Sequence, residues 1–387
     1  MDLTRAIPRL KHALTDARRS DLARIDEGLR RFGVTGVHGE PEVGVSALVE
    51  AAVHRANQRM IRLDLDGAAS AAHVAWMLAH ELARTVIHPR WLSLLAAPDM
   101  APTAARRELV SFAETVGQDV ADLAIAPRPT DDVGVGKVLD AIEKVWGQAA
   151  APPLLWIDHL QTPTLTPRHP VDVDALLWAV RDLHQRMALP IIVSGNSAVS
   201  EIAYRRTGAF FGDGVWVTIG RPGTDVWLEA ADRANVFADR VEARSWVADM
   251  VAITHGHPST MMLALAWRME APGEARTSLE LWQLMLGLDD GHTARAMQHA
   301  RTLHRLGGQV FEQIAAGAGP YEGAAGPNEQ KERGRAVSRL HAAGLVMQPR
   351  KRVWEVTNPL VAARLRGKLP VTTREAFAYE AQEEPAV

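Results

Sequence analysis

The segment Gly39–Ser46, which reads GEPEVGVS, constrains the fold of this 387-residue chain more than any other feature. It matches the pattern G-x-x-x-x-G-K-[ST] at every defined position except one, where Val45 replaces the lysine. An apolar stretch typical of a strand, Val34–Val37, precedes it, and residues that favour a helix follow from 46 to 58. Backbone N–H groups of such a loop face phosphate oxygens at the start of the helix. The segment therefore predicts a phosphate-binding loop between a strand and a helix.

Two residues of this loop weaken its expected affinity for phosphate. The lysine of the motif bridges the outer phosphates of a nucleotide, and the hydroxyl residue, here Ser46, holds Mg²⁺. Val45 supplies no charge, and Glu42 adds a negative charge that phosphate would be repelled by. The expected cofactor is ATP or ADP with Mg, bound weakly or not at all. The residues predicted to bind the nucleotide in this loop are Gly39, Glu40, Pro41, Val43, Gly44, Val45, Ser46 and Ala47.

Strand and helix patterns alternate along the chain as far as about residue 221. Short apolar runs bounded by breakers predict strands, and longer stretches of helical periodicity separate them. This alternation favours a parallel sheet in a doubly wound α/β fold. The further predicted strands are Met60–Leu65, Leu154–Ile157, Ile191–Val193 and Val215–Ile219, and the predicted helices are 70–87, a segment near 103–123, and 171–187.

The loop and the strands occur in an order that resembles one group of ATPases. Gly39–Ser46 resembles a Walker A loop, and Leu154–Asp158 resembles a Walker B strand, an apolar run that ends in a carboxylate. The order from Gly39 to Pro258 resembles that of AAA+/STAND ATPases, especially the archaeal-type ATPase family. The resemblance covers residues 24–366 and implies a P-loop NTPase parallel sheet, a helical lid and a C-terminal winged-helix domain.

The same resemblance assigns roles to residues outside the loop. Asp158 would reach Mg²⁺ through water, so that the predicted metal ligands are Ser46 and Asp158. His159 stands where many AAA+ proteins carry a glutamate that orients the attacking water; a neutral histidine can act as a base, but loss of the catalytic residue is the simpler interpretation. Asn196, or Ser194 beside it, would sense the γ-phosphate. Pro258 matches the Gly-x-Pro element near the adenine pocket. The catalytic candidates are thus His159 and Asn196.

The pattern divides the chain into segments of different character. After about residue 221 the strand signal stops, and residues 226–317 read as helices broken at His255–Pro258, Pro272–Gly273 and Gly287–Gly291. The predicted domains are amphipathic helices over 1–31, a P-loop NTPase-like α/β domain over 32–222, a helical lid over 223–290, a winged-helix-like domain over 291–369 and a flexible acidic tail over 370–387.

Positive charge is concentrated near the C-terminal end. Residues 331–368 hold ten Lys or Arg against two Glu, whereas the whole chain has a formal net charge of −3. The pattern there predicts a helix over 329–343, followed by a strand, a basic turn, a second strand and a helix. This order resembles a winged helix, so DNA is an expected partner. A packing role with a solvated basic face is the alternative. The predicted DNA-binding residues are Lys331, Arg333, Arg335, Arg339, Arg350, Lys351 and Arg352.

The composition of the chain limits its expected cellular compartment and the kinds of site that it can form. The chain has no cysteine, which excludes disulfides, thiolate zinc sites and cysteine nucleophiles. No apolar run reaches the roughly 18 residues that a membrane span needs, so we expect a cytoplasmic protein without membrane contact. A homo-oligomer or an active AAA+ partner is the expected protein partner. The fifteen histidines show no H-E-x-x-H motif.

Three functional hypotheses remain open at this point. The first is an AAA+/STAND-like regulatory protein with impaired or absent ATP hydrolysis that binds DNA through a winged helix. The second is a pseudo-ATPase scaffold that acts only through protein contacts. The third is an active ATPase with unorthodox residues, with Lys137 of the stretch GVGK as a candidate for the missing cation. Replacement of the lysine by Val45 and of the glutamate by His159 favours a protein that is not an enzyme.

Overall fold

The computed structural model describes residues 5–40, 42–95, 101–147, 149, 151–162, 171–196, 198–203, 207–270, 277–287 and 291–366. Pro41 and the predicted tail 370–387 lie outside this part of the chain. The chain divides into two compact units. The first comprises Met1–Asp21, Gly39–Ala47 and Ile219–Val387, and the second comprises Leu22–His38 and Leu48–Thr218. The phosphate loop thus groups with the residues that follow the fifth strand, and the five-part division of the sequence stays a prediction.

The strands of the central sheet are β1 (Val34–Gly39), β2 (Met60–Asp64), β3 (Leu154–Asp158), β4 (Ile191–Asn196) and β5 (Val215–Ile219). They form one parallel sheet in the order β2–β3–β4–β1–β5. In its register Asp64 lies beside Asp158, and Leu155 lies beside Ile191. Because parallel strands place their carboxyl ends at one edge, Asp64, Asp158 and Asn196 end their strands on the same side of the sheet.

Nine helices accompany these strands in the described part of the chain. The second unit holds most of them, with α2 and α3 crossing its boundaries. They are α2 (Arg19–Phe32), α3 (Val45–Arg55), α4 (Ala71–Val86), α5 (Pro89–Leu95), α6 (Thr103–Val116), α7 (Gln118–Ile125), α8 (Val135–Trp146), α9 (Val173–Met187) and α10 (Ala198–Ala203).

The core of the second unit lies between the sheet and these helices. All five residues of β3 are buried, as expected of a central strand in a parallel sheet covered by helices. Helix α4 places Val74, Leu78 and Leu82 against this core, at the spacing of one helical face. Ser70 caps the helix by accepting a hydrogen bond from the His73 N–H at 3.1 Å.

In the residues that the structure describes, the first unit consists of helices and one hairpin, besides the ends of β1 and β5. Its helices are α1 (Ala6–Ala17), α11 (Thr224–Arg233), α12 (Arg240–Thr254), α13 (Pro258–Glu270), α14 (Ser278–Gly287), α15 (His292–Leu303), α16 (Gly307–Ala315), α17 (Pro327–Ala342) and α18 (Pro359–Arg366), and its strands are β6 (Val346–Arg350) and β7 (Val353–Val356). Among the residues that the structure describes, no helix is both long enough and apolar enough to cross a membrane.

Helix α1 joins the beginning of the chain to its second half. Its buried face, which includes Leu10 and Leu14, packs against α11 and α13. The core that it enters also contains Trp227 and Met261. The apolar spacing of this N-terminal segment therefore serves packing within the first unit.

The structure confirms the five predicted strands, although β1, β3 and β4 extend further than predicted and β2 ends one residue earlier. β1 continues to Gly39, so the first glycine of the loop is also the last residue of the strand. Three of the described helices, α5, α8 and α10, were not predicted. Pro89 opens α5, and Val135 opens α8 after a stretch rich in Gly and Asp. The segment predicted as one helix near 103–123 is two helices, because Gly117 adopts a φ of +99° between α6 and α7.

Substitution of Leu10 by Ala is expected to lower the free energy of unfolding of the chain by about 2–5 kcal/mol. The Leu10 side chain is 1% exposed, so its removal leaves a cavity under α1. Urea unfolding followed by circular dichroism measures the change. Leu284→Ala is the matched control, because Leu284 is 40% exposed. Equal losses for the two variants would contradict the packing described for α1.

Candidate functional site

The predicted phosphate loop has a compact backbone that leads directly into α3. A Cβ atom on Gly39 would lie 2.6 Å from the Ile219 carbonyl oxygen, so only glycine fits there. Gly44 adopts a φ of +89°, which also favours glycine. Val45 begins α3 with a buried side chain, and Ser46 and Ala47 lie in its first turn. The strand, loop and helix expected of a P-loop are therefore present around the residue that departs from the motif.

Both acidic side chains of the loop are bound by neighbouring groups of the first unit. Glu40 accepts a hydrogen bond from Nε of Arg221 at 2.6 Å. Glu42, whose φ is +65°, accepts one from the hydroxyl of Ser259 at 2.5 Å and lies 3.7 Å from Nε2 of His257. The negative charges that weaken the predicted phosphate site thus have structural partners.

Arg18, a residue that sequence analysis did not single out, fixes the backbone of the loop. Its guanidinium is 3% exposed and donates to the carbonyl oxygens of Val43 at 2.6 Å and Gly220 at 2.7 Å. Asp21 accepts a third bond at 2.8 Å. A buried arginine is tolerated only when its donors are satisfied, and here two of them hold main-chain oxygens of the loop and of the segment after β5.

A second cluster, in the other unit, surrounds Asp158 at the end of β3. Asp158 is fully buried, and Nη2 of Arg62 lies 2.7 Å from its Oδ2. The Ser194 hydroxyl donates to Oδ1 at 2.6 Å, and the His159 N–H donates to the same atom at 3.0 Å. The Trp156 indole N–H donates to Ser194 at 2.7 Å, while the Arg62 guanidinium stacks 4.2 Å from the Trp156 ring centroid.

His159 is held by a carboxylate. Its Nδ1 lies 2.8 Å from Oδ1 of Asp64, the last residue of β2. This hydrogen bond raises the pKa of His159 above its usual value, and the same bond lowers the pKa of Asp64. A ring must be unprotonated to accept a proton from water, whereas the bond with Asp64 stabilises the protonated form. The role of His159 as a neutral base thus gains no support from its surroundings.

The groups around Asp158 do not fit a magnesium ion as they stand. Asp64, Asp158 and His159 each place a ligand-type atom within 4.8 Å of the others. However, Nη2 of Arg62 already lies 2.7 Å from Asp158 and 3.6 Å from Asp64. A positive group at that position repels a divalent cation and takes the carboxylate oxygen that such a cation would need. The carboxylate pair is therefore neutralised by the protein itself.

The remaining candidate residues, Asn196, Pro258 and Lys137, each have a defined place in the fold. Asn196 is 5% exposed at the end of β4, and its backbone N–H donates to Gln161 at 3.3 Å. Ser194, two residues earlier on the same strand, donates a hydrogen bond to Asp158. Pro258 begins α13 after His255 and Gly256, which both have positive φ. Lys137 forms an ion pair with Asp119 of α7.

The predicted DNA-binding residues fall into two groups. Five of them are exposed: Lys331 and Arg335 on α17, Arg350 at the end of β6, and Lys351 and Arg352 on the turn between β6 and β7. Arg339 is half-buried and donates to the Leu303 carbonyl oxygen at 2.8 Å.

Arg333 is a correction to the predicted DNA-binding set. It is only 3% exposed, and its guanidinium binds Glu329, Gln313 and the carbonyl oxygens of Pro320 and Glu322. A side chain whose donors are used inside the module cannot also bind a phosphate on another molecule without breaking these contacts.

Sequence analysis missed Arg62, Asp64, Arg18 and Arg221. For the first two a signal existed, because in MIRLD the polar residues alternate with buried Ile61 and Leu63, and Asp64 ends its strand as Asp158 does. The pairing of β2 with β3 then brings the two carboxylates together. For Arg18 and Arg221 no local pattern reveals the role, since the groups that link them to the loop are far away along the chain.

Comparison with known proteins gives the fold a reference. No protein-family model and no curated protein match the sequence. A Walker-type ATPase of Pyrococcus abyssi matches in structure with a TM-score of 0.59 and 14% identity, over 90% of this chain and 95% of that one. This chain has a P-loop ATPase fold. The expected P-loop NTPase fold class is thereby confirmed, at an identity that says nothing about activity.

Two further solved structures match this chain with lower TM-scores, and no conclusion about this chain rests on them. The ORC1 protein of Aeropyrum pernix in complex with DNA has a TM-score of 0.42 and 13% identity, over 92% of this chain and 94% of that one. A STAND protein of Pyrococcus horikoshii with a tetratricopeptide repeat sensor has a TM-score of 0.37 and 14% identity, over 95% of this chain and 45% of that one.

Substitution of Arg62 by Met in this P-loop ATPase fold is expected to lower the free energy of unfolding by about 3–5 kcal/mol, because it leaves the buried Asp158 without its cation. Urea unfolding measures the loss. Adding Asp158→Asn to the Arg62→Met variant removes the unpaired charge and should restore part of the stability.

Arg181→Met provides the matched control for this measurement. Arg181 pairs with Asp213 at 2.8 Å in the same unit, but the Asp213 side chain is 43% exposed, so about 1 kcal/mol or less is expected there. If Arg62→Met costs no more than Arg181→Met, Arg62 does not neutralise a buried carboxylate.

Proposed function

We propose that this chain is a nucleotide-fold regulatory protein in which ATP hydrolysis is impaired or absent and DNA binding by the basic C-terminal module is the output. The C-terminal module is residues 291–366. The proposal has two parts, one for the P-loop fold and one for the basic module, and each has its own test. The two expected protein partners, a second copy or an active AAA+ protein, and the cytoplasmic location stay predictions.

The pairing of Arg62 with the buried Asp158 carries the first part. Hydrolysis of ATP relies on a metal ion that neutralises the charge developing on the phosphates. In this chain the strand-end carboxylate that would serve that ion is occupied by an arginine 2.7 Å away. The chain's own groups at this position bind one another, since Arg62 and Ser194 contact the Asp158 carboxylate and Asp64 binds the His159 ring.

The phosphate loop supports the same interpretation from independent residues. Val45 has a buried apolar side chain in place of a lysine, and Glu40 and Glu42 keep negative charge in the loop. The positive φ of Gly44 and the helix start at Val45 preserve the backbone of an anion site. This combination favours weak binding of a phosphate group through main-chain N–H groups over tight binding and turnover.

The substitution Val45→Lys is expected to raise the affinity for ATP at least about tenfold, which corresponds to about 1.4 kcal/mol. The added ammonium group would attract the outer phosphates that the valine leaves uncompensated. Isothermal titration calorimetry with ATP and with ADP, in the presence of Mg²⁺, measures the affinity. Val45→Met is the matched control, since it lengthens the side chain without adding charge and should bind as the wild type does.

Turnover of ATP by the wild type decides between this proposal and an active ATPase. We expect phosphate release no faster from the wild type than from Asp158→Ala. Clear turnover that Asp158→Ala abolishes would contradict impaired hydrolysis and favour the unorthodox enzyme.

The exposed basic residues of the C-terminal module carry the second part. The order α15, α16, α17, β6, β7, α18 is that expected for a winged helix, with the turn after β6 as the wing. Lys351 and Arg352 form this turn, and Lys331 and Arg335 lie on the exposed side of α17. Charges placed on a helix and on an adjacent turn suit the spaced phosphates of duplex DNA. Arg335 also hydrogen-bonds with Glu332, which reduces the net charge of the helix face.

Replacement of Lys351 by Ala is expected to weaken binding to duplex DNA several-fold, to a similar degree for unrelated sequences. A phosphate contact also adds about one unit to the slope of log affinity against log salt, so the slope should become shallower by about that amount. Fluorescence anisotropy over a range of salt concentrations measures both effects.

Lys144→Ala is the matched control for the DNA measurement, because Lys144 is an exposed lysine on α8, outside the C-terminal module. An equal effect of the two substitutions would place the DNA elsewhere. Failure of the wild type to bind DNA at all would favour the scaffold that acts only through protein contacts.

A further inference from the structure

Arg221 lies two residues beyond β5, beside the start of the phosphate loop. The Ile219 carbonyl oxygen is so close to Gly39 that a Cβ there would lie 2.6 Å from it. The Arg221 side chain is 14% exposed, and Glu40 is 39% exposed. The chain thus places a largely buried guanidinium against the second residue of the loop.

The guanidinium of Arg221 contacts three parts of the first unit at once. Nε donates to Glu40 at 2.6 Å, and Nη2 donates to the Thr357 carbonyl oxygen at 3.0 Å. Nη2 also lies 3.6 Å from the Met347 sulfur, and Nη1 lies 3.5 Å from the His255 carbonyl oxygen. The planar fork of an arginine can hold several acceptors in fixed directions, which a lysine cannot do.

Thr357 is the joint between the hairpin and the last described helix. Its N–H donates to the Leu345 carbonyl oxygen at 3.0 Å, immediately before β6. The next residue, Asn358, accepts hydrogen bonds from the N–H groups of Leu360 and Val361 and so caps α18. A contact with Thr357 therefore bears on both the hairpin and α18.

A phosphate group bound by the loop would compete with Glu40 for this arginine. Phosphate carries more negative charge than a carboxylate and offers more acceptor oxygens, so a guanidinium binds it well. Glu40 is partly exposed, so solvation would offset part of the cost of losing its partner. Movement of Arg221 toward the phosphate would break its bond with Thr357.

We propose that Arg221 is a latch that ties the phosphate loop to the C-terminal hairpin, and that a phosphate-bearing anion in the loop releases it. The ligand class is a polyphosphate, with or without a nucleoside. The release half of this inference rests on the proposed function, because it needs a loop that still accepts an anion. The latch itself stands on the contacts of Arg221 alone.

Hydrogen–deuterium exchange of the full chain tests the latch without any ligand. Arg221→Met keeps the length of the side chain and removes the donors, and we expect about tenfold faster exchange over residues 345–357. Exchange over 154–158 should stay unchanged, which distinguishes local release from general unfolding. Arg221→Lys, which keeps the charge but not the fork, should also speed exchange. Glu40→Gln, a milder change, should give a smaller increase in the same segment.

Arg24→Met is the matched control, because Arg24 is an exposed arginine that donates to a main-chain oxygen at the end of β5, that of Thr218. It should leave exchange over 345–357 as in the wild type. Unchanged exchange in Arg221→Met, or an equal increase in Arg24→Met, would overturn the latch.

Inorganic tripolyphosphate is the probe for release. In the wild type it should speed exchange over 345–357, and in Arg221→Met it should cause no further change. Tripolyphosphate that binds the wild type without this effect, or that does not bind at all, would overturn release. These outcomes are separate from ATP turnover, so the latch can fail while impaired hydrolysis stands, and turnover by the wild type would leave the exchange results intact.

Discussion

The buried carboxylate of Asp158 is the constraint around which the carboxyl edge of the sheet is built. A carboxylate without water around it needs a positive partner and donors for its remaining lone pairs. Arg62, Ser194 and the backbone of His159 supply these within the same unit. The partner comes from the adjacent strand, so the charge is neutralised by the sheet itself and does not depend on a bound ion.

The same physical solution recurs in the phosphate loop. Arg18 donates hydrogen bonds to two main-chain oxygens. Arg221 donates one to Glu40, and the Ser259 hydroxyl donates one to Glu42. In an active P-loop the polar groups are kept available for a ligand whose charge they match. Here several of them bind other parts of the chain, and the loop is consequently held by its neighbours as well as by its own glycines.

Much of the fold could be predicted from the sequence because periodicity is a local property. The apolar runs of β1 to β5 and the helical spacing after them involve residues that are close together in the sequence. The loop motif likewise marks the junction of β1 with α3. Helix α8 escaped prediction because Gly134 and Gly136 suggested a loop, whereas tertiary packing of Val138, Leu139 and Ile142 stabilises a helix there.

The site itself could be predicted only in part, because its decisive contacts are not local. Glu40 and Arg221 are 181 residues apart, and Arg62 and Asp158 are 96 apart, so no spacing rule connects them. Arg333 was assigned to a DNA surface because a charge run in a sequence does not reveal which of its members turn inward. Only the pairing of strands and the packing of helices decide such contacts.

The packing of α1 on α11 and α13 has a consequence for synthesis of the chain. A ribosome makes α1 well before the helices that cover Leu10 and Leu14, which begin at Thr224 and Pro258. Until those residues have emerged, the apolar face of α1 has no native partner, while the second unit is already being completed. Helix α1 therefore reaches its final place only after α11 and α13 have been made, although it precedes the whole second unit in the order of synthesis.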